Sequence, residues 1–182
     1  MPKVRTLSRT FMKGHIRAGE PTYFVEKAFN SIGYSNIKYL KEMNPKTDLK
    51  VLQSVCEQFN ESITETKPHT IRMGRHFKAN DELTLAVWSG KPYRSKQVKL
   101  WTGPIRAVDI VIQINRLYNS MKVCKVVRFS NGPGIHITLD SINKVELAKN
   151  DGLSLQDFEA WFNLPFGDHE AQILIWNPEI YY

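Results

Sequence analysis

The chain has 182 residues, 42% of them hydrophobic and 24% charged, with a formal net charge of +7. That length holds one generous domain or a domain with an elaboration, and the composition supports a buried core, which excludes a disordered chain or one held together by disulfide or metal staples. Cys56 and Cys124 are the only cysteines and form no Cys-x-x-Cys spacing, residues 1–12 lack an apolar h-region, and no run of ~18 apolar residues occurs. A cytoplasmic protein, neither secreted nor membrane-spanning, is therefore expected.

The first elements are helical. Gly14, Gly19 and Pro21 make residues 13–21 a loop. Thr22 is the expected N-cap of a short helix in which Phe24, Ala28 and Phe29 share a face, with Gly33 ending it. In residues 46–60, Leu49, Leu52, Val55, Cys56 and Phe59 recur at the three-and-four spacing of an amphipathic helix. The texture then changes to strict alternation: Leu83, Leu85 and Val87 within 82–88, and Val108, Ile110, Ile112 and Ile114 within 108–114, predict strands.

Residues 122–129 and 135–139 flank Ser130-Asn131-Gly132-Pro133-Gly134, whose turn chemistry predicts a β-hairpin. After Asn150-Asp151-Gly152, Ser154 is placed to cap a helix with Asp157 three positions on, and Leu155, Phe158, Trp161 and Phe162 supply its apolar stripe. Residues 171–176 are apolar enough for an inner strand. Strands interrupted by separated helices predict an α+β fold, with an antiparallel or mixed sheet bent into a barrel.

The positive charge is concentrated. Residues 67–106 carry nine basic side chains against two acidic ones, whereas residues 107–182 carry six against nine. Such a segment attracts polyanions, as in a nucleic-acid binder, and equally suits a solvated basic face. Within it, Pro68 fixes its own φ and donates no backbone hydrogen bond, so Lys67 and Thr70 straddle a bend and their side chains can converge. A strand from Thr70 onward places Thr70 and Arg72 on one face, a hydroxyl beside a guanidinium suited to a phosphate or a base edge.

The stretch Lys67-Pro68-His69-Thr70-Ile71-Arg72, followed by the basic-aromatic turn Gly74-Arg75-His76-Phe77-Lys78 and the pair Asn80-Asp81, resembles the opening motif of ASCH domains, relatives of the PUA fold. The family's usual Gly-Asp pair is here Asn80-Asp81, and Asn tolerates the positive φ such a turn requires. Residues 147–158 resemble the turn and helix that precede the last strand of those domains. Residues 8–24 and 88–97 are similar to uncharacterised bacterial and phage ASCH proteins. The resemblance implies an ASCH/PUA-like mixed barrel with flanking helices over residues 63–182, and an N-terminal, partly helical extension over residues 1–62.

More distantly, the chain is similar to the N4-acetylcytidine amidohydrolases, which use a Lys, a Thr and a Glu. The matching positions are Lys67, Thr70 and, one methylene shorter, Asp151. The resemblance implies that Lys67 accepts the Thr70 proton, Thr70 attacks the acyl carbon and Asp151 orients Lys67 or the leaving amine, which requires approach to roughly 2.6–3.2 Å. Arg72 would hold the substrate. In the alternative, Thr70 satisfies a strand neighbour, Lys67 is solvated and Asp151 shapes its turn.

The loop of residues 88–97 is the second candidate site. Tyr93 can stack on a base while Lys91, Arg94 and Lys96 meet phosphates, with Arg75 and Lys78 extending the basic surface. Trp88 is expected to pack. His15, His69, His76, His136 and His169 are too dispersed for a ligand motif, so neither metal nor other cofactor is expected. His15 and Glu20 either approach the cleft or fix their own loop. Three readings remain: binding of RNA, another nucleic acid or a modified nucleotide; deacylation of an acylated nucleoside; and a nuclease or protein-interaction scaffold.

Overall fold

The computed structural model describes residues 2–33, 37–115, 117, 120–131 and 134–182. Among these, eight strands and five helices form an α+β fold. In chain order they are β1 (Lys3–Thr6), α1 (Phe24–Ile32), α2 (Ile37–Met43), α3 (Leu49–Cys56), β2 (His69–Met73), β3 (Glu82–Trp88), β4 (Gln97–Pro104), β5 (Arg106–Asn115), β6 (Ser120–Asn131), β7 (Gly134–Ser141), α4 (Lys144–Asn150), α5 (Leu155–Trp161) and β8 (Gly167–Ile175).

The strands form two sheets, ordered β1-β3-β4 and β2-β8-β5-β6-β7, and the expected closed barrel is not formed. The reason lies at the corner between β4 and β5. Pro104 has no N–H to continue a ladder, and both backbone groups of Ile105 are taken by a turn: its N–H donates to Asp81 O at 3.0 Å and its carbonyl accepts from Asn80 N at 3.1 Å. The chain leaves the small sheet there and enters the large one. Asn80 itself sits at φ 65°, the left-handed conformation that Asn tolerates.

The alternating segments become strands because their apolar sides have something to cover. In β3, Leu83, Leu85 and Val87 are buried, and so are the intervening Thr84 and Ala86, small residues that let the strand be covered on both faces. Strand β8 lies between β2 and β5 and is buried from Ala171 to Ile175, the inner strand expected of that run. β6 and β7 pair from Cys124↔Ser141 to Asn131↔Gly134; Gly132 and Pro133 of the expected turn lie outside the described residues.

Helix α1 ends at Gly33 with φ 78°, as its sequence requires, but its N-cap position is Tyr23; Thr22 instead receives the Phe24 N–H on its hydroxyl at 3.3 Å. The apolar period of residues 46–60 yields only eight helical residues, because Asp48 caps the start and accepts from Lys50 N. Ser154 caps α5 by accepting from Asp157 N at 3.0 Å.

The described residues up to 62 pack with the remainder. β1 pairs in parallel with β3, from Lys3↔Leu83 to Thr6↔Ala86. Leu7, Phe11, Phe24, Val25, Ala28 and Phe29 belong to the same core as Leu85, Phe158 and Leu174. No helix among the described residues is long and apolar enough to cross a membrane, and Cys56 and Cys124 are free thiols.

Candidate ligand site

Lys67, Thr70, Arg72 and Asp151 line one small cavity of about 50 Å³, together with Thr6, Leu7, Ser8, Phe24, Ile71 and Trp161. That space has room for roughly three water-sized groups. Three parts of the chain build it. Lys67 precedes β2 and is fixed to α1: its N–H donates to Lys27 O at 2.8 Å, and its carbonyl accepts from Ser31 Oγ at 2.9 Å. β2 then projects Thr70 and Arg72 from the same face, as the two-residue strand period requires. Asp151 arrives at the C-cap of α4, where its N–H donates to Leu147 O at 2.9 Å.

Gly152 makes this approach possible. It adopts φ +75°, and a Cβ there would lie 3.3 Å from the Lys27 side chain and 3.4 Å from Lys67 Cβ. The Gly152 carbonyl accepts from Lys27 Nζ at 2.9 Å, which closes the turn onto α1.

The Lys67 ammonium is almost completely buried, at 1% exposure. It donates to the Asp151 carboxylate and to the Asp151 carbonyl, the latter at 2.5 Å, and lies 4.2 Å from the centre of the Phe24 ring. Burial pulls its pKa down to about 8 against the opposing pull of Asp151. The same burial raises the Asp151 carboxyl, while Lys67, Arg72 and the Ile71 N–H act to lower it. The two groups hold each other's charge where water does not reach.

Around the pair stand groups that are not fully satisfied. Among the described residues the Thr70 side chain has no hydrogen-bond partner, although Thr70 is buried. Arg72 donates through Nη2 to Thr6 O at 3.2 Å, while its Nε is buried and unpartnered. His69 is the third. Asn150 Nδ2 donates to Tyr182 Oη at 2.9 Å, leaving the hydroxyl proton for His69 Nδ1 at 2.8 Å. His69 Nε2 lies 3.9 Å from Asp151 Oδ1, buried and without a partner. Burial and the Lys67 charge hold the His69 pKa well below the usual range, so the ring is neutral.

A cleft of about 450 Å³ adjoins the cavity and shares Thr6, Leu7 and Ser8 with it. Its other residues are Arg9, Thr10, Val87, Trp88, Gly90, Pro92 and Tyr93. The loop of residues 88–97 therefore forms one wall, turned by a Ser89 N to Lys96 O bond at 2.9 Å and by Ser95 Oγ accepting from Gly90 N at 2.9 Å. Tyr93 stands 89% exposed at the rim, its ring 5.3 Å from that of Trp88. Lys91, Arg94 and Lys96 are exposed on the same loop.

The remaining basic candidates lie elsewhere. Arg75 faces Asp109 at 3.7 Å and Glu170 at 3.3 Å, a surface cluster that Arg128 joins at 2.6 Å from Asp109. Lys78 lines a shallow groove with Arg106, Lys125 and Arg128 and does not reach the cleft. His15 fixes its loop: its Nδ1 accepts from Arg17 N and its Nε2 lies 3.0 Å from Asp157 O, both 3.0 Å contacts, with the ring stacked on Phe11. Glu20 pairs with Arg17. Among the described residues no three His, Cys, Asp or Glu side chains gather as metal ligands.

Sequence reasoning missed Arg9, His69 and Tyr182. His69 lay inside the quoted motif, and the signal was an ionisable side chain on a strand whose neighbours are apolar. Arg9 and Tyr182 carried none. Comparison with family models, curated proteins and solved structures finds no match to this chain.

Proposed function

We propose that the protein binds a nucleobase, carried by a modified nucleotide or an RNA strand, in the cleft between residues 6–10 and the loop of residues 88–97. The observation that carries this reading is the gathering of Lys67, Thr70, Arg72 and Asp151 around one cavity, separated from an aromatic-rimmed cleft only by shared lining residues. A cleft of this volume is in the range of small-ligand sites, which run from roughly 300 to 1,000 Å³. Trp88 and Tyr93 offer ring faces to a base, and Lys91, Arg94 and Lys96 are exposed on the loop that forms the cleft wall. The motif likeness to ASCH domains points the same way. Labelled single-stranded RNA is expected to bind with an affinity that falls as salt rises, and Arg72→Gln to weaken it. Affinity indifferent to both would overturn the proposal.

A second reading, deacylation of an N4-acetylcytidine-like nucleoside, is favoured by one observation: a threonine hydroxyl without a partner lines the same cavity as a lysine whose pKa is drawn to about 8. The small cavity suits an acyl group, with the base remaining in the cleft. Neutral Lys67 takes the Thr70 proton, Thr70 Oγ1 bonds to the acyl carbon, the C–N bond breaks, and the proton passes to the leaving amine. Water then releases acetate and restores the hydroxyl. Acetate release from N4-acetylcytidine should rise with pH through about 8 and disappear in Thr70→Ala. Turnover undiminished in that variant would remove the reading.

A further inference from the structure

Among the described residues three arginines are matched to acids. Arg17 has Glu20 and Asp157, and Arg75 and Arg128 share Asp109. Arg9 is different. Its guanidinium makes no hydrogen bond among the described residues, and Nε and Nη2 are sealed from solvent without a partner. No carboxylate of the described residues lies within 4.0 Å of it. Burial lowers its pKa, and only the more distant field of Glu26 opposes this. A half-buried cation left in that state is costly unless something negative completes it.

The position is built, since Arg9 sits in a stretch tied down on both sides. Its carbonyl accepts from Thr22 N at 2.9 Å, Thr10 bridges Pro21, and the Ser8 carbonyl accepts from Thr22 Oγ1 at 2.6 Å. Arg72 and Arg106 also have buried unpartnered nitrogens, but Arg72 bonds Thr6 O and Arg106 stacks 4.3 Å from the Tyr181 ring. Of these three, Arg9 alone lines the 450 Å³ cleft, and no Asp or Glu lines it. The cleft is therefore lined by a cation without a carboxylate partner, by Thr6, Ser8 and Thr10, and by the aromatic pair Trp88 and Tyr93.

We infer that Arg9 anchors a phosphate of the ligand, so that the cleft takes a phosphorylated nucleotide in preference to the free nucleoside. This rests on the nucleobase reading above and adds to it the charged end of the ligand. A guanidinium gives a phosphate a charge-assisted hydrogen bond, and a phosphate supplies the charge that the protein itself does not. The phosphate can be the monoester of a mononucleotide or a diester of a strand, and the two sources are separable.

The test is calorimetric titration of the intact protein with N4-acetylcytidine, its 5′-monophosphate, the unmodified cytidine pair, a short single-stranded oligoribonucleotide and inorganic phosphate. The monophosphate should bind about tenfold or more tightly than its nucleoside, the worth of one charge-assisted contact. Arg9→Gln should abolish that ratio without lowering the melting temperature, and Arg9→Lys should restore part of it. Tighter binding of the oligonucleotide, lost in Arg9→Gln, assigns the phosphate to a strand. Nucleoside and nucleotide binding equally well overturns the phosphate anchor while the nucleobase reading stands. Arg9-dependent binding of inorganic phosphate with no preference for any base-bearing ligand keeps the anchor and overturns the base. Binding of none of these ligands overturns both.

Discussion

Two clusters of opposite charge in this protein use the same side-chain chemistry with opposite consequences. Lys67 and Asp151 meet with side chains only 1% and 5% exposed, and burial shifts the pKa of each toward its neutral form. Asp109, Arg75, Arg128 and Glu170 gather on the large sheet with exposures from 19% to 62%, where water screens what the partners do to one another. The first cluster ties two distant segments together and lowers the pKa of a lysine. The second covers a surface. Density of charge along the chain does not separate them; the burial of Lys67 does.

The comparison breaks most directly at Asp151. Asp151→Ala leaves the buried Lys67 ammonium with the residue-151 carbonyl as its remaining hydrogen-bond partner. Removing one member of a buried pair costs about 3–5 kcal/mol, and urea unfolding should show a loss of that size. A loss under about 1 kcal/mol would mean that Lys67 escapes to water and that the two clusters are alike. The double variant Lys67→Met with Asp151→Leu should recover most of the loss, because it removes both desolvation costs together.

Next in size is the dependence of stability on pH. The Lys67 pKa is about 8 in the folded protein against 10.5 as its reference. Between these values the unfolded chain holds a proton that the folded chain has released, so stability from this group rises with pH across the window. It is fully present above 10.5 and lost as pH falls through about 8. Asp151 runs the other way, its raised pKa favouring the folded state at acid pH and losing that contribution as pH rises through the folded value. Unfolding free energies at several pH values between 8 and 10.5 should climb by no more than about 1.4 kcal/mol per unit. The Lys67 contribution to that slope should vanish in Lys67→Met, leaving the opposite contributions of Cys56 and Tyr182, whose burial raises their pKa values.

How much of this was legible follows from what each signal depends on. Glu82–Trp88 could be read to its ends because a covered strand repeats every two residues, and Ser154 could be read because a cap is a local bond. Convergence of Thr70 and Arg72 followed from the strand period, and Lys67 with Asp151 from motif likeness. The open pair of sheets was not legible, since it turns on which backbone groups meet Ile105. Nor was β1, whose four residues become a strand only by pairing with β3, 80 positions away at Lys3↔Leu83. Arg9 was invisible for a related reason: nothing local distinguishes an arginine that will lack a carboxylate from one that will find it. Arg75 shows the converse, a residue inside the motif whose partners Asp109 and Glu170 came from later strands.

The smallest effects belong to the exposed cations. Arg75→Ala removes contacts at 3.3 and 3.7 Å from a side chain already 36% exposed, so the expected loss is under about 1 kcal/mol. Because Arg75 lines neither the cleft nor the inner cavity, RNA affinity should stay as it is. Replacing Lys91, Arg94 and Lys96 together by alanine should change stability by less than about 0.5 kcal/mol, as these side chains are exposed on the loop. That variant should instead flatten the salt dependence of RNA binding, by up to about 2 in the log–log slope if all three meet phosphates. A salt slope altered by Arg75→Ala and untouched by the loop variant would move the strand off the cleft and onto the large sheet, since the slope reports whichever side-chain cations displace counterions from the phosphates.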